Sequence, residues 1–369
     1  MQRHPHDWDN WPRDGNLGDC MQTLGVENVY HKLFASMELP FELLTVHRDD
    51  IGIYDGQPVK LVMQSWFGDY AGVFPLPWSS RITPVFIGFH LNTINETRQR
   101  FRRENIHEMM KPYQPIGCRD RNTRDFLIEC GLDAYFSGCM TLTFDKRESS
   151  PVQGKIFIVD LTEKTKSAMP DELMAKADHS ITHFYYWNEY PVTEKGAVEF
   201  EQEARHILKR YREEAALVIT SKIHVAMPCV AMGIPVVFIH EEADSNERFD
   251  VLQGILPLYT PDDIPYIDWD VQPVNIDELK QAIIRNAHAQ ITNSPKARQT
   301  REELDLITKK LNAISIKWLL EHRRQLFCTY FRVLILSFLT WGKKRGKYKE
   351  KKRFYYNLLR RGRQFLGNR

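Results

Sequence analysis

The sequence predicts an α/β fold made of two halves, each a parallel sheet with helices, followed by a C-terminal amphipathic helix and a basic tail. Three observations predict it. Short apolar, β-prone runs alternate with helical segments from residue 59 to residue 289, the pattern of strands joined by helical crossovers. Where those runs end, glycines and polar side chains gather at the turn into the next helix, which is where open α/β sheets bind ligands. The alternation also restarts after the polar segment KRESSPVQGK, residues 146–155, which reads as a boundary. The expected organisation is therefore 1–148, 149–295, a long amphipathic helix over 296–325 and a tail over 326–369.

The first 15 residues are polar and aromatic. Either a natural opening strand is missing or the segment packs through Trp8 and Trp11. Asp14-Gly15-Asn16-Leu17-Gly18-Asp19 reads as a glycine-rich turn that feeds a helix running through Leu33 and brings backbone N–H groups towards an anion. Strands are expected over 59–63 and 84–90, with helical segments around 97–110. A short strand over 115–118 delivers Arg119 and Asp120 into a turn. The helix over 122–130 stops at Gly131. In the second half, strands are expected over 156–160 and 180–184, with helices over 169–177 and 196–214. The densest stretch is LVITSKIHVAMPCVAMGIPVVFIH, residues 217–240. It holds a strand, a turn at Ser221-Lys222-Ile223-His224, a helix ended by Gly233 and a further strand from Pro235. A polar loop over 241–248, a helix over 277–289 and a helix over 298–325 complete the chain. Leu304, Ile307, Leu311, Ile314 and Trp318 form the apolar stripe of that last helix.

The chain has 369 residues and a net charge of only +2, but the charge is unevenly spread. Residues 342–369 hold twelve Lys/Arg and one Glu, so an acidic body precedes a tail of +11. Just before them, LFCTYFRVLILSFLTW is apolar, yet at 16 residues with an internal arginine it is too short to span a bilayer. An apolar patch beside a basic cluster is the pattern of a peripheral anchor on an anionic membrane surface. That reading is favoured over an oligomer helix or nucleic-acid binding. The six cysteines show no CxxC or zinc spacing, which favours reduced thiols in a cytoplasmic protein. No metal site is expected, and no apolar leader opens the chain.

His224 follows a strand end and has a pKa suited to proton transfer, so it is the candidate acid/base; a capping histidine is the competing role. Ser221, Lys222 and Arg119 are candidate contacts to an acidic ligand. His90 ends a strand, Trp66 offers a face for a sugar ring, and Arg248 sits in a loop beside the site. Asn16, Gly18 and Asp19 join the binding set through their turn. His179 and His183 read as neighbours on one strand face, with structural roles. No Walker motif, HExxH or Ser-His-Asp order is present.

Four motifs together resemble the polysaccharide pyruvyl transferase family. They are Asn16-Leu17-Gly18-Asp19 with Gln22, Gly117-Cys118-Arg119-Asp120 with Thr123, Ser137-Gly138-Cys139 with Thr141, and Ser221-Lys222-Ile223-His224 with Ala231-Met232-Gly233-Ile234-Pro235. The resemblance implies two Rossmann-like domains facing a cleft, as in GT-B glycosyltransferases. Residues 217–240 would form one wall, and the Gly18 and Arg119 turns the other. It implies transfer of pyruvate from phosphoenolpyruvate onto two sugar hydroxyls as a ketal, with no cofactor. Where the family has Arg-Leu-His, this chain has Lys222-Ile223-His224, which keeps the charge and loses the fork. The tail suits a polyprenyl diphosphate-linked saccharide acceptor at the inner face of the cell membrane. A GT-B-like enzyme using a nucleotide sugar is the alternative, and a silent membrane scaffold a third.

Overall fold

The computed structural model describes residues 14–38, 41–46, 50–67, 77–93, 95–186, 194–241 and 246–312, with Phe331, Leu334 and Ile335. Trp8, Trp11 and almost all of the 326–369 tail lie outside them, as do Ile314 and Trp318. Among the described residues no helix is long and apolar enough to cross a membrane.

The chain is mixed α/β with parallel sheets. Strand β1 (Asp14–Asn16) leads into helix α1 (Leu17–Met37). Strands β2 (Val59–Val62), β3 (Trp66–Phe67), β4 (Ile82–Val85) and β5 (His90–Leu91) come next. Helices α2 (Asn95–Arg103) and α3 (Ile106–Met110) are the helical segments expected around 97–110. They part at Asn105, which adopts a left-handed φ of 51°. Strand β6 (Ile116–Cys118), helix α4 (Arg121–Glu129) and strand β7 (Ala134–Phe136) close the first half. Gly131, at φ 81°, ends α4 as its position in the sequence requires.

In the second half come β8 (Lys155–Val159), α5 (Glu163–Lys166), α6 (Asp171–Lys176), β9 (Ala177–Asp178), β10 (Phe184–Tyr186), α7 (Glu194–Glu214), β11 (Ala215–Thr220), α8 (Ile223–Ala231), β12 (Val236–Ile239), β13 (Leu258–Tyr259) and α9 (Asp277–Ile291). The strand expected over 180–184 is thus displaced to β9 and β10. Residues 297–312 form α10. Its Leu304 and Ile307 are buried and Leu311 packs on the core, while Leu306 faces outward. The described part of the last helix therefore carries the stripe its sequence predicts.

The second sheet is parallel in the order β13-β12-β11-β8-β9. Alternate residues feed opposite faces. Phe157, Val218 and Phe238 enter one core with α8 and α9, while Ile158, Ile219 and Val237 enter another with Leu161, Met169 and Ile264. Both faces are covered, which is why these strands read as unbroken apolar runs. The first half pairs β2 with β4, β3 with β5 and β6 with β7, all parallel. Backbone bonds from Gly117 N to Phe86 O and from Arg119 N to Phe89 O stitch β6 alongside the line of β4 and β5. That line breaks at Gly88, φ 72°, where any Cβ would collide with the Gln64 side chain. Gln64 needs the space, because it donates to Gln22 O of α1 (2.9 Å) and accepts from Met140 N (2.8 Å).

The opening segment differs from expectation. β1 runs antiparallel to β10 in the second half, and Leu17 N donates to His183 O at 2.8 Å. Leu17, Met21 and Leu24 of α1 then join the core of the second sheet. Further along, Val29 and Leu33 pack with Val62 and Ile87 of the first half and Ala287 and Ile291 of α9. One helix is thus shared by both sheets.

Candidate active site

The site lies at the carboxyl ends of the parallel strands. In the first half, β6 ends at Arg119 and Asp120, and both are buried. Asp120 caps α4, with Oδ1 accepting from Thr123 N at 2.8 Å. Its Oδ2 meets His90 Nδ1 at 2.5 Å and lies 3.6 Å from Arg119 Nε. Burial alone would raise the Asp120 pKa, but the charge and hydrogen bond of His90, with Arg119 and the Thr123 N–H, hold it down at about 2. Asp120 is therefore a fixed carboxylate. Arg119 is 3% exposed, and its guanidinium donates no hydrogen bond to any described residue. A buried fork with its donors unspent is built to receive an anion. Trp66 of β3 is half-buried and pairs in register with His90 of β5.

In the second half, β11 ends at Ser221 and Lys222. Ser221 Oγ donates to Asp160 O at 3.0 Å, tying the end of β11 to the end of β8. Asp160 has φ 52°, a conformation costly for a residue with a side chain. Its carboxylate accepts from Thr182 Oγ1 (2.8 Å) and His183 N (2.9 Å), which hold it there. Lys222 occupies the N-cap position of α8 without a side-chain cap. Its ammonium sits 4.8 Å from the centre of the Phe184 ring.

His224, in the first turn of α8, is 8% exposed and faces α1. A Cβ placed on Gly18 would lie 3.1 Å from His224 Nδ1 and 2.9 Å from Asn16 Oδ1. Gly18 is thus a contact glycine inside the first turn of α1, and no glycine-rich loop forms. Asn16 is spent as the cap of α1, accepting from Gly18 N at 2.8 Å. Asp19 accepts from Gln22 Nε2 at 3.2 Å. The expectation that Gly18 and Arg119 share a wall is corrected: Gly18 lies against His224.

The 3-10 turn Asn246–Leu252 joins the two strand ends. Its Phe249 ring packs 4.4 Å from the ring of His240, which follows β12. The next residue, Asp250, accepts from Arg121 N at 2.9 Å and Asn122 N at 3.1 Å, beside the Asp120 cap of α4. Burial, with the nearby Asp120 charge, raises the Asp250 pKa to about 7 against the pull of those N–H donors. Arg248 lies on this turn, and its side chain is outside the described residues. Asp250 escaped the sequence reading because its partners are about 130 positions away. Arg121 donates to Asp250 O (2.8 Å) and lies over Phe136.

His183 is buried, its ring bonded to Tyr211 Oη at 3.1 Å, and burial lowers its pKa to about 4. His179 is exposed, so the two histidines do not share a face. Cys118, Cys130, Cys139 and Cys229 are free thiols.

Residues 65–240 match the polysaccharide pyruvyl transferase family. The match runs from Ser65, in the line of β2 and β3, to His240 at the end of β12. It contains Arg119, Asp120, Ser221, Lys222 and His224, while Asn16, Gly18 and Asp19 fall before it. The polysaccharide pyruvyl transferases are transferases, and the matched span is just under half of the chain. Neither the curated proteins nor the solved structures include a match to the chain.

Proposed function

We propose that the protein transfers pyruvate from phosphoenolpyruvate onto two hydroxyls of a sugar, forming a cyclic ketal and releasing phosphate. The observation that supports this reading is the buried Arg119 at a strand end, whose Nε has no hydrogen-bond partner among the described residues and lies 3.6 Å from the fixed Asp120 carboxylate. Phosphoenolpyruvate carries a phosphate and a carboxylate, and a fork of this kind binds either one bidentately. Lys222, at the start of α8, supplies the second cation, and Ser221 keeps its turn in place. Two protons leave the two sugar hydroxyls. One goes to the methylene carbon of the donor, making the methyl group, and the other departs with phosphate. His224 carries one of these transfers, since a histidine changes charge near neutral pH.

The reaction is tested by phosphate release from phosphoenolpyruvate with a panel of lipid-linked galactose and mannose acceptors. Mass spectrometry reads the added pyruvate. Thermal shifts with phosphoenolpyruvate, and none with UDP or GDP sugars, are expected; the reverse pattern would make the chain a glycosyltransferase. A polyprenyl diphosphate-linked acceptor and a cytoplasmic, membrane-peripheral location fit the 326–369 tail, whose twelve basic residues over 342–369 would each add about 1 kcal/mol at an anionic surface. Deleting 326–369 should move the protein from the membrane fraction to the soluble one, and unchanged fractionation would remove the anchor from the proposal.

A further inference from the structure

Three neighbouring strands of the second sheet, β8, β11 and β12, end at one open cavity of about 380 Å3. It is at the small end of the range for ligand sites. Asp160, Thr162, Phe184, Lys222 and Glu241 line it. The two carboxylates outnumber the one ammonium, so the cavity suits an uncharged ligand better than the phosphate and carboxylate that Arg119 attracts. The polar groups instead mix acceptors with donors. Glu241 Oε1 already accepts from Thr162 Oγ1 (2.7 Å) and Thr162 N (2.9 Å). Its second oxygen accepts nothing from the described residues. Phe184 is 40% exposed, a large ring left open at a polar site. A mixed set of acceptors and donors around an exposed aromatic face suits a ring with many hydroxyls and an apolar C–H face.

We propose that this cavity is the acceptor subsite and takes one hexose-sized sugar unit, stacked on Phe184 with its hydroxyls donating to Glu241 and Asp160. The proposal rests on the transfer reading above and names the place of the second substrate. It moves the stacking ring from Trp66, on the first sheet, to Phe184 on the second. Lys222 then stands between the two substrates, with its stem at the sugar and its turn leading to His224. The strained backbone of Asp160, pinned by Ser221, Thr182 and His183, fixes one carboxylate where a hydroxyl would meet it.

The test uses the full chain with methyl β-galactoside and methyl α-mannoside as probes, followed by saturation-transfer NMR. Phe184→Leu removes the aromatic face. Glu241→Gln keeps an oxygen for Thr162 and turns the cavity-facing acceptor into a donor. The Kd for the bound hexoside should rise about 10-fold in Glu241→Gln, which loses a hydrogen bond to a charged group, and several-fold in Phe184→Leu, which loses the aromatic face. The phosphoenolpyruvate thermal shift should stay unchanged in Glu241→Gln and persist, at reduced size, in Phe184→Leu, where Lys222 loses the ring it rests over; a shift in each also shows that it folds. The proposal is overturned if neither hexoside binds the wild type, if both variants bind as the wild type does, or if the phosphoenolpyruvate shift disappears along with hexoside binding. If the wild type releases no phosphate from phosphoenolpyruvate, yet its hexoside binding still weakens in the variants, the sugar subsite stands and the transfer reading falls.

Discussion

The carboxyl ends of the two sheets solve the same problem in different ways. Each places a cation after a strand, at the entrance to a helix. In the first, Arg119 is buried beside Asp120, and His90 and Thr123 fix that carboxylate from two further sides. In the second, Lys222 is half-buried and rests over an aromatic ring with no carboxylate bonded to it. A buried charge needs a fixed counter-charge to offset its desolvation, and that same fixing orients the fork before any ligand arrives. A half-buried lysine needs no such frame and can follow its substrate. The difference separates a rigid grip from an adjustable one. It also places the acid/base candidate, His224, on the adjustable side.

The largest effect expected on this comparison is chemical. His224→Ala should lower turnover by roughly 10²–10⁴-fold while thermal stability changes little; near-normal phosphate release would take the proton transfer away from the second end. Asp120→Ala should act the other way round. It leaves Arg119 and His90 buried without their carboxylate and should cost about 3–5 kcal/mol in denaturant unfolding. A loss below about 1 kcal/mol would show that the first end is not a rigid ion-pair frame. Gly18→Ala is smaller and splits the two properties. Alanine is about 1 kcal/mol the better helix former, so stability should hold, whereas the new methyl presses on His224 Nδ1 and should lower turnover several-fold. Unchanged turnover would mean that His224 does not depend on its contact with α1.

The last prediction is a pH dependence. Asp250 has its folded pKa raised from 3.8 to about 7, so between those values the folded state binds more protons than the unfolded one. Its contribution to stability is present below the unfolded pKa and is lost as pH rises through about 7. Asp250→Asn removes that loss. The Tm of the variant minus that of the wild type should therefore climb between about pH 4 and 7 and level off above. Subtraction also cancels His183, whose lowered pKa acts in the opposite sense and is common to both proteins. A difference that is flat across this range would detach Asp250 from the joint between the sheets.

Much of this was legible in the sequence because it is local. The run from 217 to 239 appears as β11, α8 and β12, since apolar strands, a polar turn and a stop glycine all act within a few residues. Asp120 as the cap of α4 and Gly131 as its end are equally local signals. What stayed hidden depends on distant pairing. Nothing near Asn16 says that its strand will run antiparallel to β10, or that Gly18 will touch His224. Asp160 ends an expected strand, Glu241 opens a polar loop and Asp250 carries no local signal, until three strand ends and a 3-10 turn bring them together. Phe184 read as the end of a strand, and its open ring became visible only once β10 formed. For the same reason the sugar-stacking role was first sought at Trp66.

Because α1 lends its first turns to the core of the second sheet and its later turns to the first, the chain has no clean place to be cut in two. A fragment starting at residue 149 would lack the helix that covers His224 and would take Leu17, Met21 and Leu24 out of the core they share with Val218, Ala226 and Val230. A fragment ending at 148 would carry that helix with half its apolar face bare. Split-protein complementation at the 146–155 linker should therefore succeed only when the two pieces are made together, with α1 acting as the shared strut that reassembles them.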